Sequence, residues 1–547
     1  MNSGSAPAGQ WPRLWSVGRS SFGLRALISV LRPVSSVLVF AALLRLYRLD
    51  AQSLWYDEGV SAFMTTRGPM EIARAAAADI HPPLYYWLLS AWAAPFGNGE
   101  SSLRGLSVLF GTTTVWVVWR LGRELFDEAV GLSAAGLLAI SPLAIQYSQE
   151  VRMYALAALL ATSSTWAYLA FTRSNPPRGR LAILYGLLAA ALLYTHYYGL
   201  LVLGVHQLHL ALTLAIHGRW RLLRPWLLGT ALTAVLYVAW LPYALRQTGY
   251  YPGLGTPQPP YALALDAVNV LSIGVATTRF SFRLGLLPFL ALAAIGLATR
   301  PHDGARVRIA DTAAEPRPWG RAPRFPAPGA RALLALWTVL PIGTIIVLST
   351  SRPLYEPRFL MLVLPAWVIL VAAGGVTLGR SVSRLLFAQP APRGPAARGA
   401  IAGLLAVVAL GLLLLPTARS LAAYYFDPTY ARDDYRGLAS TIQALERPDD
   451  AVVLTAPGQA EIFDYYYRGR ADQFPLPTQR PIDAADTLAR LESLAAGHRR
   501  VWLVRWASQE ADPDDLISHW LEAHTRTAGV QRFGRVELRL YELTATA

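Results

Sequence analysis

The sequence predicts a polytopic α-helical membrane protein that ends in a small α/β domain. Of its 547 residues, 54% are hydrophobic and only 15% are charged, whereas soluble domains carry roughly 25% charged residues. Apolar runs recur as far as residue 416, and residues 417–547 contain no run long enough to cross a bilayer. We therefore expect a bundle of membrane helices followed by an extramembrane domain.

The composition excludes several kinds of chemistry. The chain contains neither cysteine nor lysine, so it has no disulfide, thiolate nucleophile, cysteine metal site, Schiff-base lysine or P-loop lysine. Its net charge of +15 comes mainly from arginines in short loops, the pattern that orients membrane proteins. We expect membrane lipids as neighbours and no nucleic-acid partner.

About eleven apolar runs approach the roughly 17 to 25 residues that a membrane-spanning helix needs. With the N-terminus in the cytoplasm, most loop arginines lie on the inner side, as the positive-inside rule requires. This orientation predicts a multi-pass protein of the plasma or inner membrane whose C-terminal domain is extracytoplasmic. The predicted spans are Leu27–Tyr47, Ser102–Trp119, Val130–Ile145, Tyr154–Phe171, Leu181–Tyr194, Gly199–Ile216, Trp226–Leu245, Leu284–Ala298, Ala332–Leu348, Phe359–Leu378 and Ile401–Pro416.

The same assignment divides the chain into three parts. Residues 1–25 form a cytoplasmic N-terminal tail, residues 26–416 the transmembrane domain and residues 417–547 the α/β domain. Residues 300–331 are rich in Pro and Arg without apolar periodicity, which predicts a flexible cytoplasmic loop. In the last part, helical patterns alternate with strand-like runs. Helices are predicted at Tyr435–Leu445, Ala484–Leu494 and Leu516–Ala523, and strands at Ala451–Leu454, Val501–Trp506 and Val536–Tyr541.

Residues 49–101 are predicted to form the first outer loop. Their sequence pattern indicates helices that lie in the membrane interface. Pro69 suits the first turn of one short helix, and the apolar residues of His81–Phe96 recur at helical spacing. If His81–Phe96 crossed the membrane instead, the arginines around Arg120 and Arg173 would both fall outside, against the positive-inside rule.

Asp57 and Glu58 stand side by side where the first span meets water. Acidic groups at that depth are costly unless they are paired or used in chemistry. One interpretation is that they only end the span and begin an interfacial helix, whose N-terminus favours negative charge. The other is acid/base chemistry on an anionic lipid substrate. The predicted topology supports the second interpretation, because it brings further ionisable residues to the same membrane face. These residues are His81, Glu100, Glu150, Arg152, His196, Arg352, Glu356 and Arg358.

The segment Arg352–Arg358 is the second candidate. Its two arginines either snorkel to the interface and cap the flanking spans, or clamp a phosphate at headgroup level through bidentate hydrogen bonds. Tyr355 would add a hydroxyl donor to the clamp. A third segment contains Glu150 and Arg152, which admit the simpler interpretation that they only pair with each other.

The histidines leave a divalent metal open, because His81 and His196 both belong to outer segments. No HExxH or comparable ligand spacing supports a metal, and hydrogen bonding is the simpler role for both rings. No Walker A sequence is present either, which argues against ATP-driven transport. The sequence therefore requires no cofactor.

Three motifs of the first outer loop resemble those of a known family. Trp55-Tyr56-Asp57-Glu58 is followed by His81-Pro82-Pro83-Leu84-Tyr85-Tyr86-Trp87 and then by Gly97-Asn98-Gly99-Glu100-Ser101-Ser102-Leu103-Arg104. In this order, with a span on either side, they are similar to the polyprenyl-phosphate-sugar-dependent glycosyltransferases of the GT-C fold. They resemble bacterial members of the protein O-mannosyltransferase and aminoarabinose transferase superfamily. The resemblance extends in pattern over Leu27–Leu378.

This resemblance implies a GT-C-like bundle with an outward-facing active site and a sugar donor carried on a polyprenyl monophosphate. It also implies that Asp57 acts as catalytic base or acceptor-positioning carboxylate, supported by Glu58. A single displacement would invert the anomeric centre, and the acceptor is a lipid, a protein or a cell-envelope glycan. The other predicted site residues are the phosphate ligands Arg358, Arg352 and Tyr355 and the site-shaping residues His81, Glu100, Arg104, Glu150, Arg152 and His196.

One position departs from the aminoarabinose transferases. Their double proline follows Glu-Lys, whereas Ile80-His81 precedes Pro82 in this chain. The lysine contact to phosphate must be absent or replaced by His81 or an arginine, which argues against aminoarabinose as the sugar.

Two other functional classes remain open from the sequence. A transporter or flippase also needs many spans, but it usually places charged residues near the bilayer midplane and shows paired repeats, whereas the acids here lie at one face. A receptor whose soluble domain binds glycans is the third class. Product analysis separates the first two classes, because transport forms no glycosidic bond, and deletion of residues 417–547 tests the third.

Overall fold

The computed structural model of the protein describes residues 20–174, 178–250, 257–277, 283–299, 328–387, 411, 413–455, 458–479 and 481–543. These residues are mostly helical, as predicted, and a small β-sheet lies near the C-terminus. Several predictions concern residues outside these ranges: most of the N-terminal tail, most of the loop 300–331 and most of the span Ile401–Pro416.

The helices that precede the sheet are numbered in chain order, and short 3₁₀ turns occur at Trp220–Leu222 and Pro357–Leu362. The helices are α1 (Ser20–Leu46), α2 (Tyr56–Met64), α3 (Pro69–Ala78), α4 (Leu84–Phe96), α5 (Glu100–Leu125), α6 (Glu128–Ile140), α7 (Pro142–Ser148), α8 (Tyr154–Arg173), α9 (Gly179–Leu193), α10 (Gly199–His217), α11 (Leu223–Tyr237), α12 (Leu241–Tyr250), α13 (Pro260–Ser272), α14 (Arg283–Ala298), α15 (Pro328–Ser349), α16 (Leu364–Phe387) and α17 (residues 413–426).

Within the part of the chain that the structure describes, four helices are long and apolar enough to cross a membrane, or six if each of two bent helix pairs is one span. Shorter apolar helices accompany them, which agrees with the predicted multi-pass membrane protein. The four long segments are Tyr154–Arg173, Gly199–His217, Gly329–Ser349 and Leu364–Arg384, and the shorter ones are Pro33–Leu46, Gly179–Leu193 and Gly285–Ala298.

Two of the predicted spans are wrong as continuous helices, because each is sharply bent. Val130–Ile145 is divided into α6 and α7, which meet at 60°. The Ser141 hydroxyl caps α7, and Pro142, which has no N–H, cannot continue the hydrogen bonds of α6. Trp226–Leu245 is divided into α11 and α12 at 75°, with Pro242 in the first turn of α12.

Glycines let two of the apolar helices approach closely. α14 and α16 pack along each other, and a Cβ added to Gly374 would lie 1.8 Å from the Leu292 carbonyl oxygen. A Cβ added to Gly296 would lie 2.1 Å from the Leu370 carbonyl oxygen. Small residues at such contacts are typical of helix packing in membranes.

After the membrane helices the chain folds into a five-stranded sheet with helices on both faces. Its elements are α18 (Tyr435–Leu445), β1 (Asp450–Leu454), α19 (Gln459–Tyr466), β2 (Asp472–Pro475), α20 (Ala484–Gly497), β3 (Arg500–Arg505), α21 (Ser508–Ala511), α22 (Leu516–His524), β4 (Thr525–Phe533) and β5 (Val536–Leu543). The strand order is β2-β1-β3-β5-β4, with β1, β2 and β3 parallel and β5 antiparallel to both neighbours. The predicted helices and strands are confirmed, whereas the sequence analysis misses β2, β4, α19 and α21.

Alternate residues of the sheet face two separate cores. Val452, Trp502 and Leu538 belong to the large apolar core that continues into the membrane helices. Val453 and Leu503 belong to a second core, which α20 and α22 cover. One face of the sheet therefore packs toward the membrane helices, and this packing places the α/β domain beside residues 49–101.

Candidate active site

Asp57 and Glu58 lie in the first turn of α2. The Trp55 backbone N–H lies 3.4 Å from Glu58 Oε2, as in a capping box. α2 is held tightly against α19, since a Cβ added to Gly59 would lie 2.3 Å from Ile462. Consecutive helix residues point about 100° apart, so the two carboxylates have different surroundings. Glu58 is fully buried, whereas 22% of the Asp57 side chain is exposed.

Glu58 is the centre of a buried ionic network. Arg104 donates two hydrogen bonds to its carboxylate, from Nε at 3.0 Å and from Nη2 at 2.8 Å. The Val151 backbone N–H donates at 2.8 Å and Arg432 Nη1 at 3.2 Å. Burial alone would raise the pKa of Glu58, but Arg104 and Arg432 hold that pKa below its usual value. Both oxygens of Glu58 are thus engaged by donors, which suits a supporting role.

Arg432 connects this network to Glu150. Its Nη2 donates to Glu150 Oε1 at 2.7 Å, while Oε2 of Glu150 is buried without a hydrogen-bond partner among the described residues. Burial raises the pKa of Glu150 to about 7, although Arg432 opposes this shift. The alternative in which Glu150 and Arg152 pair only with each other is wrong, because Arg152 contacts Asp57 and His81.

Asp57 faces two arginines from distant parts of the chain. Arg358 Nη1 lies 3.4 Å from Asp57 Oδ2, and Arg152 Nη2 lies 3.7 Å from the same oxygen. Arg358 also donates to the Tyr154 hydroxyl at 3.3 Å, and Glu356 Oε2 lies 3.8 Å from Arg358 Nε. Because Arg358 is 20% exposed, its guanidinium and the Asp57 carboxylate share one solvent-reachable side of the site.

His81 orients Arg152 through a neutral ring. Arg152 Nη2 lies 3.1 Å from His81 Nε2, and because arginine only donates hydrogen bonds, this ring nitrogen is the acceptor. Nδ1 then carries the proton and donates to Asp79 Oδ2 at 3.0 Å. Burial and the neighbouring Arg152 lower the pKa of His81, in agreement with a neutral ring. Asp79, His81 and Arg152 form a hydrogen-bonded chain that leads to Asp57.

The structure separates the three predicted phosphate ligands. Arg358 contacts Asp57, whereas Arg352 is exposed and donates to the Gly249 carbonyl oxygen at 3.5 Å. The Tyr355 hydroxyl donates to Asp266 Oδ2 at 2.8 Å. Of this segment, Arg358 is the residue that the fold brings to the acid.

Glu100 and His196 stabilise the surroundings of the site. Glu100 begins α5 and accepts hydrogen bonds from Arg436 and Tyr466 of the α/β domain. His196 is buried against Tyr154, with ring centroids 6.0 Å apart. Burial lowers the pKa of His196 to about 3, so this ring is neutral at physiological pH.

Carboxylates and guanidinium groups make up most of the site. Within the described ranges, no group of three or more His, Asp or Glu side chains is placed to hold a metal ion. Carboxylates accept protons, and guanidinium groups stabilise phosphate anions. The chemistry that these groups support directly is proton transfer next to a departing anion.

Asp79, Asp266 and Arg432 also belong to this region, and none of them is predicted from the sequence. Asp79 lies two residues before His81, and this spacing is the signal that links the two. Arg432 belongs to the charged run Arg432-Asp433-Asp434, just before α18. That run marks a polar segment, but its contact with Glu58 depends on tertiary structure and leaves no local pattern.

Comparison with known proteins gives a family match and a fold. Residues 80–243 match the family model described as dolichyl-phosphate-mannose-protein mannosyltransferase. The apo structure of ArnT from Cupriavidus metallidurans, 16% identical, gives a TM-score of 0.58 over 94% of this chain and 98% of ArnT. ArnT bound to undecaprenyl phosphate, also 16% identical, gives a TM-score of 0.54 over 96% of this chain and 99% of ArnT. The oligosaccharyltransferase of Archaeoglobus fulgidus in complex with Zn and sulfate is 14% identical. It gives a TM-score of 0.51 over 86% of this chain and 68% of the oligosaccharyltransferase.

Sequence comparison with curated proteins finds no match. The chain nevertheless has the fold of ArnT, which confirms the predicted GT-C-like helical architecture. Together with the family match, this fold confirms the resemblance to membrane glycosyltransferases that use lipid-phosphate-linked sugars.

Proposed function

We propose that this chain, which has the fold of ArnT, transfers a sugar from a polyprenyl phosphate to a hydroxyl of an acceptor at the outer face of the membrane. The observation that carries the proposal is the contact of Asp57 with Arg358 and Arg152, at 3.4 and 3.7 Å. ArnT binds undecaprenyl phosphate, which supports a lipid phosphate as the carrier of the donor sugar.

Asp57 is the proposed base. In the reaction it accepts the proton of the acceptor hydroxyl while the hydroxyl oxygen attacks the anomeric carbon of the donor. The bond between that carbon and the phosphate oxygen breaks, and its electron pair leaves with the phosphate. One displacement of this kind inverts the anomeric centre. Glu58 supports Asp57 because its bonds to Arg104 and Val151 fix the first turn of α2.

Arg358 is the proposed ligand of the departing phosphate. Its guanidinium keeps its charge and forms bidentate bonds with phosphate oxygens, and it lies on the exposed side of Asp57. Arg352 and Tyr355 belong to the same segment. To bind the phosphate, Arg352 must break its hydrogen bond to Gly249 and Tyr355 must break its hydrogen bond to Asp266. The residues proposed to hold Asp57 and Arg358 in place are His81, Glu100, Arg104, Glu150, Arg152 and His196.

The proposal includes a finer architecture. About eleven membrane helices within residues 26–416 lie in the plasma or inner membrane, the tail 1–25 is cytoplasmic and residues 417–547 are extracytoplasmic. The arginine distribution supports this orientation. The continuous apolar core between the sheet and the membrane helices supports an α/β domain that lies over the site.

Asp57→Asn tests the proposed base. Asparagine keeps the size of the side chain but cannot accept the proton, so we expect kcat/KM to fall by about 10²- to 10⁴-fold with the melting temperature unchanged. The measurement is transfer from radiolabelled polyprenyl-phosphate sugars to extracted cell-envelope acceptors, with membranes that contain equal amounts of each protein. Asp50→Asn, which changes an exposed acid of the same loop, is the matched control and retains wild-type transfer.

Two results would overturn the proposal. Wild-type transfer by the Asp57→Asn protein would remove Asp57 as the base. Movement of the labelled lipid across the bilayer by the wild-type protein, without a new glycosidic bond, would identify a transporter instead.

A further inference from the structure

A cleft lies in the α/β domain, at the carboxyl end of β3. Its volume is about 350 Å³, which lies within the roughly 300–1,000 Å³ of small-molecule sites. It opens between the loop after β3 and the turn that joins β4 to β5. Its polar and aromatic lining comprises Arg505, Trp506, Ser508, Arg532, Arg535 and Glu537.

This cleft borders the start of α2 directly. The Trp506 ring stacks on the Tyr56 ring, with centroids 4.3 Å apart and planes inclined by 18°, and Tyr56 immediately precedes Asp57 in α2. A Cβ added to Gly458 would lie 2.3 Å from the Tyr56 hydroxyl oxygen. Tyr56 is therefore packed closely against the α/β domain, and this packing fixes the cleft relative to the proposed base.

The position of the cleft is typical of a ligand site. In sheets with parallel strands, ligands bind beyond the carboxyl ends of the strands. The cleft lies beyond the carboxyl end of β3, where β3 adjoins the start of the antiparallel β5, and the carboxyl end of the parallel β1 is at the same edge. Ala507 at the floor of the cleft has a φ of 48°, a left-handed conformation that side chains other than glycine seldom adopt. Such strain is concentrated at functional sites.

The arginines of the cleft are paired with Glu537 of its lining and with Asp433 and Asp515 next to it. Arg532 Nη2 lies 3.3 Å from Glu537 Oε2, and Arg535 Nη2 lies 3.1 Å from Asp433 Oδ2. Arg505 pairs with Asp515, while its Nε is buried without a hydrogen-bond partner among the described residues. Each of these three arginines therefore has a carboxylate partner, so hydrogen-bond donors and acceptors lie side by side around the cleft.

Paired donors and acceptors beside an aromatic ring suit a sugar. Each sugar hydroxyl both donates and accepts hydrogen bonds, as do the hydroxyls of serine and threonine, and the arginine–carboxylate pairs offer both kinds of partner. Trp506 supplies rigid apolar area, and its Nε1 donates to Asp433 Oδ2 at 3.1 Å, which fixes the ring. Pockets that combine apolar area with a few placed polar groups bind specific ligands.

We propose that this cleft is an acceptor subsite, which binds a neutral sugar residue of a glycan acceptor and presents the acceptor hydroxyl to Asp57. The inference rests on the proposed function, because it names the acceptor class of the same reaction. It also assigns a role to the α/β domain, in that the domain selects glycan acceptors over proteins and simple lipids.

The double variant Arg532→Ala/Arg535→Ala tests the subsite. Both side chains are exposed, at 77% and 71%, so we expect the protein to remain folded. Full-length protein in nanodiscs is titrated calorimetrically with mannotriose, arabinotriose and chitotriose, and with inorganic phosphate. We expect at least one oligosaccharide to bind the wild type and the double variant to bind it at least tenfold more weakly. Arg499→Ala, an arginine 87% exposed at the opposite end of β3, retains wild-type affinity.

The outcomes separate the subsite from the proposed function. Asp57→Asn should abolish transfer but keep oligosaccharide binding. If the wild type binds an oligosaccharide in the cleft yet forms no glycosidic bond, the proposed function fails and the sugar site remains. If no oligosaccharide binds, if phosphate alone binds, or if the double variant binds like the wild type, the subsite is overturned.

Discussion

Asp57 and Glu58 show how two identical functional groups acquire different roles from their neighbours. Glu58 is buried and receives bonds from Arg104 and Arg432, whereas Asp57 is partly exposed and faces Arg358. The sequence places both acids at a membrane boundary, but it does not tell which one is buried. That difference depends on arginines from three distant segments, whose contacts exist only in the folded chain.

Glu58→Gln should therefore act on stability and not mainly on chemistry. Glutamine leaves the buried guanidinium groups of Arg104 and Arg432 without their shared carboxylate, and removal of one partner of a buried ion pair costs about 3–5 kcal/mol. We expect a lower melting temperature in detergent, measured by differential scanning fluorimetry. Asp472→Asn, at a well-exposed acid, serves as the control. A stable Glu58→Gln protein with the activity loss of Asp57→Asn would contradict this division of roles.

At the scale of elements, hydropathy identifies helices better than it identifies their shapes. The predicted span Val130–Ile145 is apolar on both sides of its bend, so the average hydropathy contains no sign of the break at Ser141. Pro142 is the visible signal in this case, because it favours the first turn of a new helix. The close contact of α14 with α16 cannot be predicted in this way, because nothing in the sequence distinguishes Gly374, which faces α14, from its neighbour Gly375.

Gly374→Ala and Gly375→Ala are a matched pair for that contact. A Cβ at Gly374 would overlap the Leu292 carbonyl oxygen, whereas a Cβ at Gly375 meets no atom within 4 Å. We expect Gly374→Ala to destabilise the protein by about 1–3 kcal/mol, the usual cost of overpacking, and Gly375→Ala to be tolerated. Thermal unfolding in detergent measures both variants. Equal melting temperatures for the two variants would show that α14 and α16 do not approach as described.

At the scale of the whole molecule, ionic contacts join the α/β domain to the membrane domain. The sequence predicts three strands and three helices of residues 417–547 because their patterns are local, although β2, β4, α19 and α21 are missed. It does not predict that Arg432 reaches Glu58 and Glu150, or that Trp506 stacks on Tyr56. These contacts join residues hundreds of positions apart, and only the packing of the sheet against the membrane helices brings them together.

The ion pair between Arg432 and Glu150 should make the stability of the protein depend on pH, because the proton of Glu150 is bound differently in the folded and unfolded states. Burial raises the pKa of Glu150 to about 7 from an ordinary value of 4.5, so the folded state binds its proton more tightly than the unfolded state. The resulting stabilisation is complete below about pH 4.5 and is lost as the pH rises through about 7. Glu150→Gln imitates the protonated acid. Its melting temperature should match the wild type near pH 5 and exceed it at pH 8.

Glu492→Gln, an exposed acid of α20, is the control for this comparison and should follow the wild type at both pH values. A difference between Glu150→Gln and the wild type that stays constant with pH, or that grows on acidification, would contradict the raised pKa of Glu150.

The bond between Glu58 and Arg432 also sets an order for biosynthesis. A ribosome makes α2 and the other early helices long before it reaches residue 432, and until then the buried Glu58 lacks one of its two arginines. Chains cut short by premature termination or proteolysis would carry most of the membrane helices without a completed site. In chains that end before residue 432, Glu58 lacks this partner, and we expect the first turn of α2 to be held less firmly.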